Sequence, residues 1–266
     1  MTRIVAIANQ KGGTGKTTTA VNVAAGLARG LGDGGRVLLV DIDPQANATA
    51  VFLGIPAAIG PRSSAPTIYE VMMGRAGAEQ TIRLITLEPH GATPGGRLDV
   101  LPSHLDLAAA EVELVNAFER ERKLREALVS VRDRYGFVLI DCPPSLGLLT
   151  VNALMAASEV LVPIDPGIFP LAGLGMLRRT IAMVQRANPE LHIGGVLPTR
   201  CDRTAIARDT QVQLAAEFGS QLMPAIPQRV AVGEGHGAGK DIFAYDGQGD
   251  AARAYAAVIR EILHRG

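Results

Sequence analysis

The chain has 266 residues, with 26 Lys and Arg against 26 Asp and Glu, so its formal charge is zero and no overall basic field selects a nucleic-acid partner. A hydrophobic content of 47% over this length suits one large α/β domain, expected to span residues 1–266. Two cysteines without C-x-x-C spacing, five scattered histidines, no leader and no apolar run of membrane-spanning length argue against disulfide, iron–sulfur, histidine–metal and membrane-embedded classes, and a soluble cytoplasmic protein is expected.

The first element is Ile4-Val5-Ala6-Ile7-Ala8, an apolar β-branched run suited to a buried parallel strand. It feeds Gln10-Lys11-Gly12-Gly13-Thr14-Gly15-Lys16-Thr17-Thr18, and an Ala-rich helix is predicted from Thr17 to Leu31. Strand, Gly-rich turn and helix together form a phosphate site, because loop N–H groups and the helix N-terminus converge on the anion. Gly12, Gly13 and Gly15 permit close backbone approach. Lys16 is placed for the β- and γ-phosphates and the Thr17 hydroxyl for Mg²⁺. Residues 11–18 are therefore the expected nucleotide-binding set.

Lys11 is an extra cation at the loop entrance. The phrase Lys-Gly-Gly-Thr-Gly-Lys-Thr-Thr resembles the deviant Walker A motif of the ParA/MinD group of P-loop ATPases, whose usual form has Val at the position of Thr14. The resemblance implies that Lys11 reaches the partner subunit's phosphates in a homodimer with ATP sandwiched between the subunits. Adenine rather than guanine follows from this likeness alone.

The next strand, Arg36 to Val40, runs into Asp41-Ile42-Asp43-Pro44-Gln45-Ala46-Asn47. Acids at a parallel strand's carboxyl end lie at the ligand edge of an open sheet. The phrase is similar to the family's Asp-x-Asp-Pro-Gln-Gly-Asn signature, with Ala46 in place of glycine. By that likeness Asp43 orients or activates the attacking water, and Asp41 is a supporting carboxylate near Mg²⁺. Residues 54–97 read as a variable loop region, broken by proline and glycine, with a short helix at Thr67 to Met73 and a strand-like run at Ile82 to Leu87.

Leu98 to Ser103 reads as strand and turn, followed by one long helix from about Leu105 to Val131. Phe137 to Pro144 is a buried strand ending in Asp141, the Walker B arrangement, where a carboxylate beside Thr17 completes the magnesium shell. Further units follow: Val160 to Pro163, a helix from about Leu171 to Arg186, Ile193 to Leu197, a helix near Ile206 to Phe218, Leu222 to Ile226, and a final helix over Gly249 to His264. The pattern predicts an α/β P-loop NTPase fold, a mostly parallel twisted sheet of seven or eight strands with helices on both faces.

The family resemblance implies a slow ATPase, with ATP and Mg²⁺ as cofactors, a ParB-like stimulating partner and ATP-dependent binding of non-specific double-stranded DNA at the nucleoid. Candidate DNA contacts are Arg203, Arg208 and Arg229, within an arginine-rich C-terminal third. The chain departs from the family here: Pro227-Gln228-Arg229-Val230-Ala231 stands where Pro-Arg-Asn-Val-Arg is usual, and Asp202-Arg203-Thr204 is one residue short of Asp-x-Arg-Thr. DNA binding is accordingly weaker, moved to other arginines, or lost. The alternative is a MinD-like membrane or cargo-positioning ATPase, which needs a basic amphipathic C-terminal helix. Tyr255, Val258, Ile259, Ile262 and Leu263 do form an apolar stripe, but the modest basic excess beside it favours core packing, and no stable membrane association is expected.

Overall fold

The computed structural model describes residues 2–31, 35–61, 65–89, 94–166, 170–202 and 204–265. Apolar runs become seven strands: β1 (Arg3–Ile7), β2 (Val37–Asp41), β3 (Arg83–Leu87), β4 (Gly96–Leu101), β5 (Phe137–Asp141), β6 (Glu159–Ile164) and β7 (His192–Pro198). They lie in the order β3-β4-β2-β5-β1-β6-β7. β3 is antiparallel to β4, and the other neighbours are parallel. Between them run helices α1 (Lys16–Gly30), α2 (Asn47–Leu53), α3 (Ile55–Ile59), α4 (Ile68–Met72), α5 (Ala78–Thr81), α6 (Leu107–Leu114), α7 (Lys123–Leu128), α8 (Leu148–Ala156), α9 (Pro170–Val184), α10 (Ala205–Phe218), α11 (Val230–Gly237), α12 (Ile242–Asp246) and α13 (Asp250–His264).

Successive strand side chains face opposite ways, so each strand feeds two cores. Ile4, Ala6, Leu38, Val40, Val138 and Ile140 join residues of α4 and α6 to α10 on one face. Val5, Ile7, Val37, Leu39 and Leu139 join residues of α1, α2, α12 and α13 on the other. Helices therefore cover both faces, as the alternating pattern predicts. The carboxyl ends of β2, β5 and β1, three neighbouring strands, stand level: Asp41 pairs in register with Asp141, and Asp141 with Ile7.

Two expected elements take other forms. Leu222 to Ile226 does not make an eighth strand but only isolated bridges, Val196 with Leu222 and Cys201 with Pro227. Met223 and Ile226, three residues apart, donate to the carbonyls of Val196 and Pro198, two residues apart, and Pro198 has no N–H to donate back, so the alternate-residue ladder is not continued. The long helix over 105–131 is broken into α6 and α7, with Glu119 at a positive φ of 49° between them. Asn152 of α8 seats the break by accepting from the Leu124 N–H at 3.1 Å and donating to the Arg120 carbonyl at 2.8 Å. α8 itself, apolar nearly throughout, carries no amphipathic period that marks it in the sequence.

The last helix packs as the sequence suggests. Ala251, Ala252, Tyr255, Val258, Ile259 and Ile262 of α13 are buried, and the helix lies against α1. All of its apolar stripe but the exposed Leu263 is spent on the core, and no described helix is long and apolar enough to cross a membrane. Gly26 is the point of closest approach, since a Cβ there would lie 2.1 Å from Ile259 Cδ1 and 2.8 Å from Phe243 Cε2. Arg29 of the same helix forms a buried ion pair with Asp241 at 3.0 Å, and Asp241 also caps α12.

This contact sets a stability test. Gly26→Val is expected to lower stability by about 2 kcal/mol through overpacking against Phe243 and Ile259, read as a lower urea midpoint, and Ile259→Ala in the same chain should recover part of the loss. An unchanged midpoint for Gly26→Val would show that α1 and α13 do not pack this closely.

Candidate active site

The phosphate-binding loop leaves β1 and turns into α1 through two left-handed glycines, Gly13 at φ 72° and Gly15 at φ 79°. Gly15 is the N-cap of α1, and no side chain caps the helix there. The first N–H groups of a 15-residue helix thus face the loop without a side-chain partner. Thr14 is buried, and its carbonyl accepts from the Thr199 hydroxyl at 2.8 Å, tying the loop to the end of β7. Asn9 buttresses the entrance, accepting from the Lys11 N–H at 3.1 Å and donating to the Pro163 carbonyl at 2.7 Å.

The two lysines differ in setting. Lys16 is buried and donates from Nζ to the Lys11 carbonyl at 3.2 Å. Burial lowers its pKa, with Asp141 opposing the shift. Lys11 is exposed at the rim of the loop. The loop thus carries one cation on its outside and one on its inside.

Three carboxylates converge at the level strand ends. Asp141 is fully buried, and burial first, then the charge of Asp41, pushes its pKa well above the ordinary carboxylate range. The Thr17 hydroxyl favours the ionised form, yet no hydrogen bond of normal geometry reaches either oxygen of Asp141. Unpartnered buried carboxylate oxygens beside a threonine hydroxyl suit a hard divalent cation, which would be held by Asp141 and Thr17 and completed by phosphates and water. No group of three His, Cys, Asp or Glu able to hold a metal occurs among the described residues, so the protein alone does not supply a full shell.

Asp41 is held by hydrogen bonds within the protein. Its Oδ2 accepts from both the N–H and the hydroxyl of Thr49, at 2.8 and 2.7 Å, and its Oδ1 accepts from the Asp43 N–H at 3.1 Å. Burial pushes its pKa up to about 7 against those hydrogen bonds. Asp41 therefore positions the segment that carries Asp43. Thr49 in turn accepts from the Ser103 N–H at 2.8 Å, and the Ser103 hydroxyl donates to the Asp43 carbonyl at 2.7 Å. Neither Thr49 nor Ser103 was marked by the sequence, since both act through strand ends that meet only in the fold.

Asp43 lines the cleft. One oxygen accepts from the Gln45 N–H at 2.9 Å, and burial raises its pKa while Lys16 lowers it. Ala46 follows in the left-handed region, φ 50° and ψ 35°, and is fully buried. Only glycine adopts that conformation freely, so the alanine here costs roughly 1–2 kcal/mol of local strain.

The cleft has a volume of about 500 Å³, within the range of small-molecule sites. Gly12 to Thr18, except Thr14, form its floor. Asp43, Gln45, Asn47 and Pro144 line it on the side of β2 and β5; Thr199, Arg200 and residues 226–229 line it on the side of β7. Arg200, with a positive φ of 54°, is a cleft residue that no motif in the sequence singles out. Cys142 and Cys201 are buried free thiols, both with raised pKa through burial, and neither is an activated nucleophile.

The candidate DNA contacts are dispersed over different elements. Arg208 is exposed on α10. Arg229 precedes α11, lines the cleft and pairs with Asp250 at 2.8 Å. Arg203 lies outside the described residues. Asp202 accepts from the Thr204 N–H and hydroxyl, and Thr204 caps α10.

The family model described as AAA domain matches residues 2–193. The sporulation initiation inhibitor protein Soj of Bacillus subtilis is 40% identical over 269 residues, covering 100% of this chain and 100% of the relative. The chromosome partitioning protein ParA of Caulobacter vibrioides is 41% identical over 268 residues, covering 99% of this chain and 94% of the relative. A crystal structure of cobyrinic acid a,c-diamide synthase from Mycobacterium smegmatis, with bound ATP analog and magnesium, matches with a TM-score of 0.79 and 34% identity, covering 99% of this chain and 95% of that one.

Because Asp41, Asp43 and Asp141 are held above the ordinary range in the fold, the native protein binds more protons than the unfolded chain at mildly acidic pH. Without nucleotide or magnesium, the contribution of these three groups to stability should fall as pH rises from about 4, the ordinary carboxylate value, to about 7, the value reached by Asp41; the buried His236, its pKa lowered by burial, acts in the opposite sense. Relative to wild type, Asp141→Asn should therefore raise the urea midpoint more at about pH 7.5 than at about pH 5, with His236 common to both chains. An equal change at the two pH values would contradict the carboxylate assignment.

Proposed function

The chain belongs to the ParA/Soj family of P-loop ATPases, and from that premise we propose that it is an ATP-dependent dimerising switch for DNA segregation, of a chromosome or a plasmid. The observation that carries the reading is the single cleft in which an uncapped helix start, Lys16, Asp43 and the unpartnered oxygens of Asp141 meet. That set suits hydrolysis of ATP to ADP and phosphate. The loop N–H groups and Lys16 hold the β- and γ-phosphates, replacing the neutral acceptor on which Lys16 rests. Mg²⁺ held by Thr17 and Asp141 would supply charge neutralisation across the phosphates. Asp43, fixed through Asp41, Thr49 and Ser103, orients the attacking water and accepts its proton, a task for which a raised carboxylate pKa is suited.

Lys11 supports the dimer. It lies outside its own cleft, exposed at the rim, where it is free to meet the phosphates of a second copy in a nucleotide sandwich. A monomer lacking that cation hydrolyses slowly, and a ParB-like partner acts by favouring the complete two-subunit site. The dimer then binds non-specific DNA through arginines of the C-terminal third, including Arg203 and Arg208, and associates with the nucleoid in the ATP state. The membrane reading gains no support from α13, whose apolar residues are spent against α1.

Lys16→Ala is expected to abolish measurable ATP binding by calorimetry, and retained affinity would remove the basis of the site. Asp43→Ala should lower turnover by about 100-fold or more while ATP-dependent dimers accumulate in size-exclusion with light scattering. Lys11→Ala should bind ATP as a monomer without dimerising; a normal dimer in that variant would sink the sandwich reading.

The DNA output is tested separately. Wild type with ATP should be retained on non-specific duplex DNA and released by high salt. Replacing Arg203 and Arg208 together by Ala should weaken retention about tenfold at about 100 mM salt and leave DNA-free ATP turnover unaltered. Undiminished retention would move the DNA surface to other residues.

A further inference from the structure

Arg200 stands just after β7, between residues whose backbones are pinned. Thr199 donates to the Ile164 carbonyl at 2.8 Å, and Cys201 donates to that of Ile226 at 2.9 Å. Between these anchors Arg200 adopts a φ of 54°, a region that any residue with a Cβ avoids. The side chain extends over the phosphate-binding loop, where Nη1 donates to the Gly13 carbonyl at 3.1 Å and lies 3.7 Å from the Asp165 carboxylate.

This hold is light. The side chain is 52% exposed, a guanidinium has five N–H donors, and the carboxylate is beyond hydrogen-bonding distance. Lys16 ends in the same way on the Lys11 carbonyl. Lys16 and Arg200 therefore both rest on main-chain carbonyls of the loop, neutral acceptors that a phosphate oxygen outcompetes for a charged donor.

We propose that Arg200 is a phosphate-binding residue of the cleft, turning from Gly13 to the α- or β-phosphate oxygens that ATP and ADP share; the proposal rests on the reading of the cleft as an ATP site. The topology separates it from the hydrolytic groups. Asp43 and Asp141 lie on the β2 and β5 side of β1, whereas Arg200 approaches from the β6 and β7 side. It is therefore assigned to binding in its own subunit, before dimerisation, rather than to attack at the γ-phosphate. A planar guanidinium on a pinned backbone is suited to bidentate phosphate contact, and the unfavourable φ is the cost of aiming it.

The test uses the full chain and Mg²⁺, with calorimetric titration of ADP, a non-hydrolysable ATP analogue and adenosine into wild type, Arg200→Gly and Arg200→Lys. Glycine tolerates the observed φ, so the apo melting temperature of Arg200→Gly should match or exceed that of wild type. Its affinity for ADP and for the analogue should each fall about tenfold, Arg200→Lys should recover part of both, and adenosine binding should not change. Equal affinities in wild type and Arg200→Gly would overturn the assignment while leaving the ATP site intact. A loss confined to the analogue, or shared by adenosine, would also overturn it. Failure of wild type to bind either nucleotide would overturn the ATP reading and this inference with it.

Discussion

Three carboxylates and one ammonium are forced together because β2, β5 and β1 are neighbours and end at the same level. Asp41 and Asp141 are paired across the sheet in register, and both are fully buried. Like charges so placed raise each other's proton affinity unless something neutralises them. The fold handles the two differently: Asp41 is given three hydrogen bonds, Asp141 none of normal geometry. That asymmetry divides the labour of the edge. One acid builds the loop that carries Asp43, and the other is left with an unmet demand for a cation.

α1 transmits this arrangement through the second core. Its first turn faces the loop. Further along, Asn22 donates to the Thr18 carbonyl at 2.8 Å and accepts from the Ile242 N–H at 2.7 Å, and Arg29 pairs with Asp241. Tyr255 of α13 is buried against the same helix and also borders the cleft. The C-terminal helices are thus the frame against which α1 is set, although none of them carries the motif. Removing either partner of the Arg29 pair would leave a buried charge without compensation, the costly way to break such a contact.

Legibility from the sequence followed how local each interaction is. The loop from Lys11 to Thr18 was readable because glycine, lysine and threonine act within one turn and their spacing states their purpose. Asp141 was readable as the end of an apolar run. Ser103 and Arg200 were not, since each acts on a segment more than fifty residues away in the chain, and Thr49 holds Asp41 only once α2 has folded back onto the end of β2. The proline-interrupted run at Leu222 to Ile226 and the helix spanning 105–131 show the complementary error. Apolar content marked both as buried, but the N–H missing from Pro198 and the hydrogen bonds that Asn152 makes to Arg120 and Leu124 decided their geometry.

Ala46 bears on timing. A glycine at that bend lets the chain between Asp43 and α2 wander through several backbone basins of similar depth. Alanine keeps the left-handed basin only at the cost of the strain already noted, so it stays there because its neighbours hold it: the Asp43 carbonyl accepts from the Ala46 N–H and from the Ser103 hydroxyl. The bend is in that sense spring-loaded. Whatever loosens those hydrogen bonds also releases the strain, and a methyl group that touches no substrate then biases the segment carrying Asp43 toward departure.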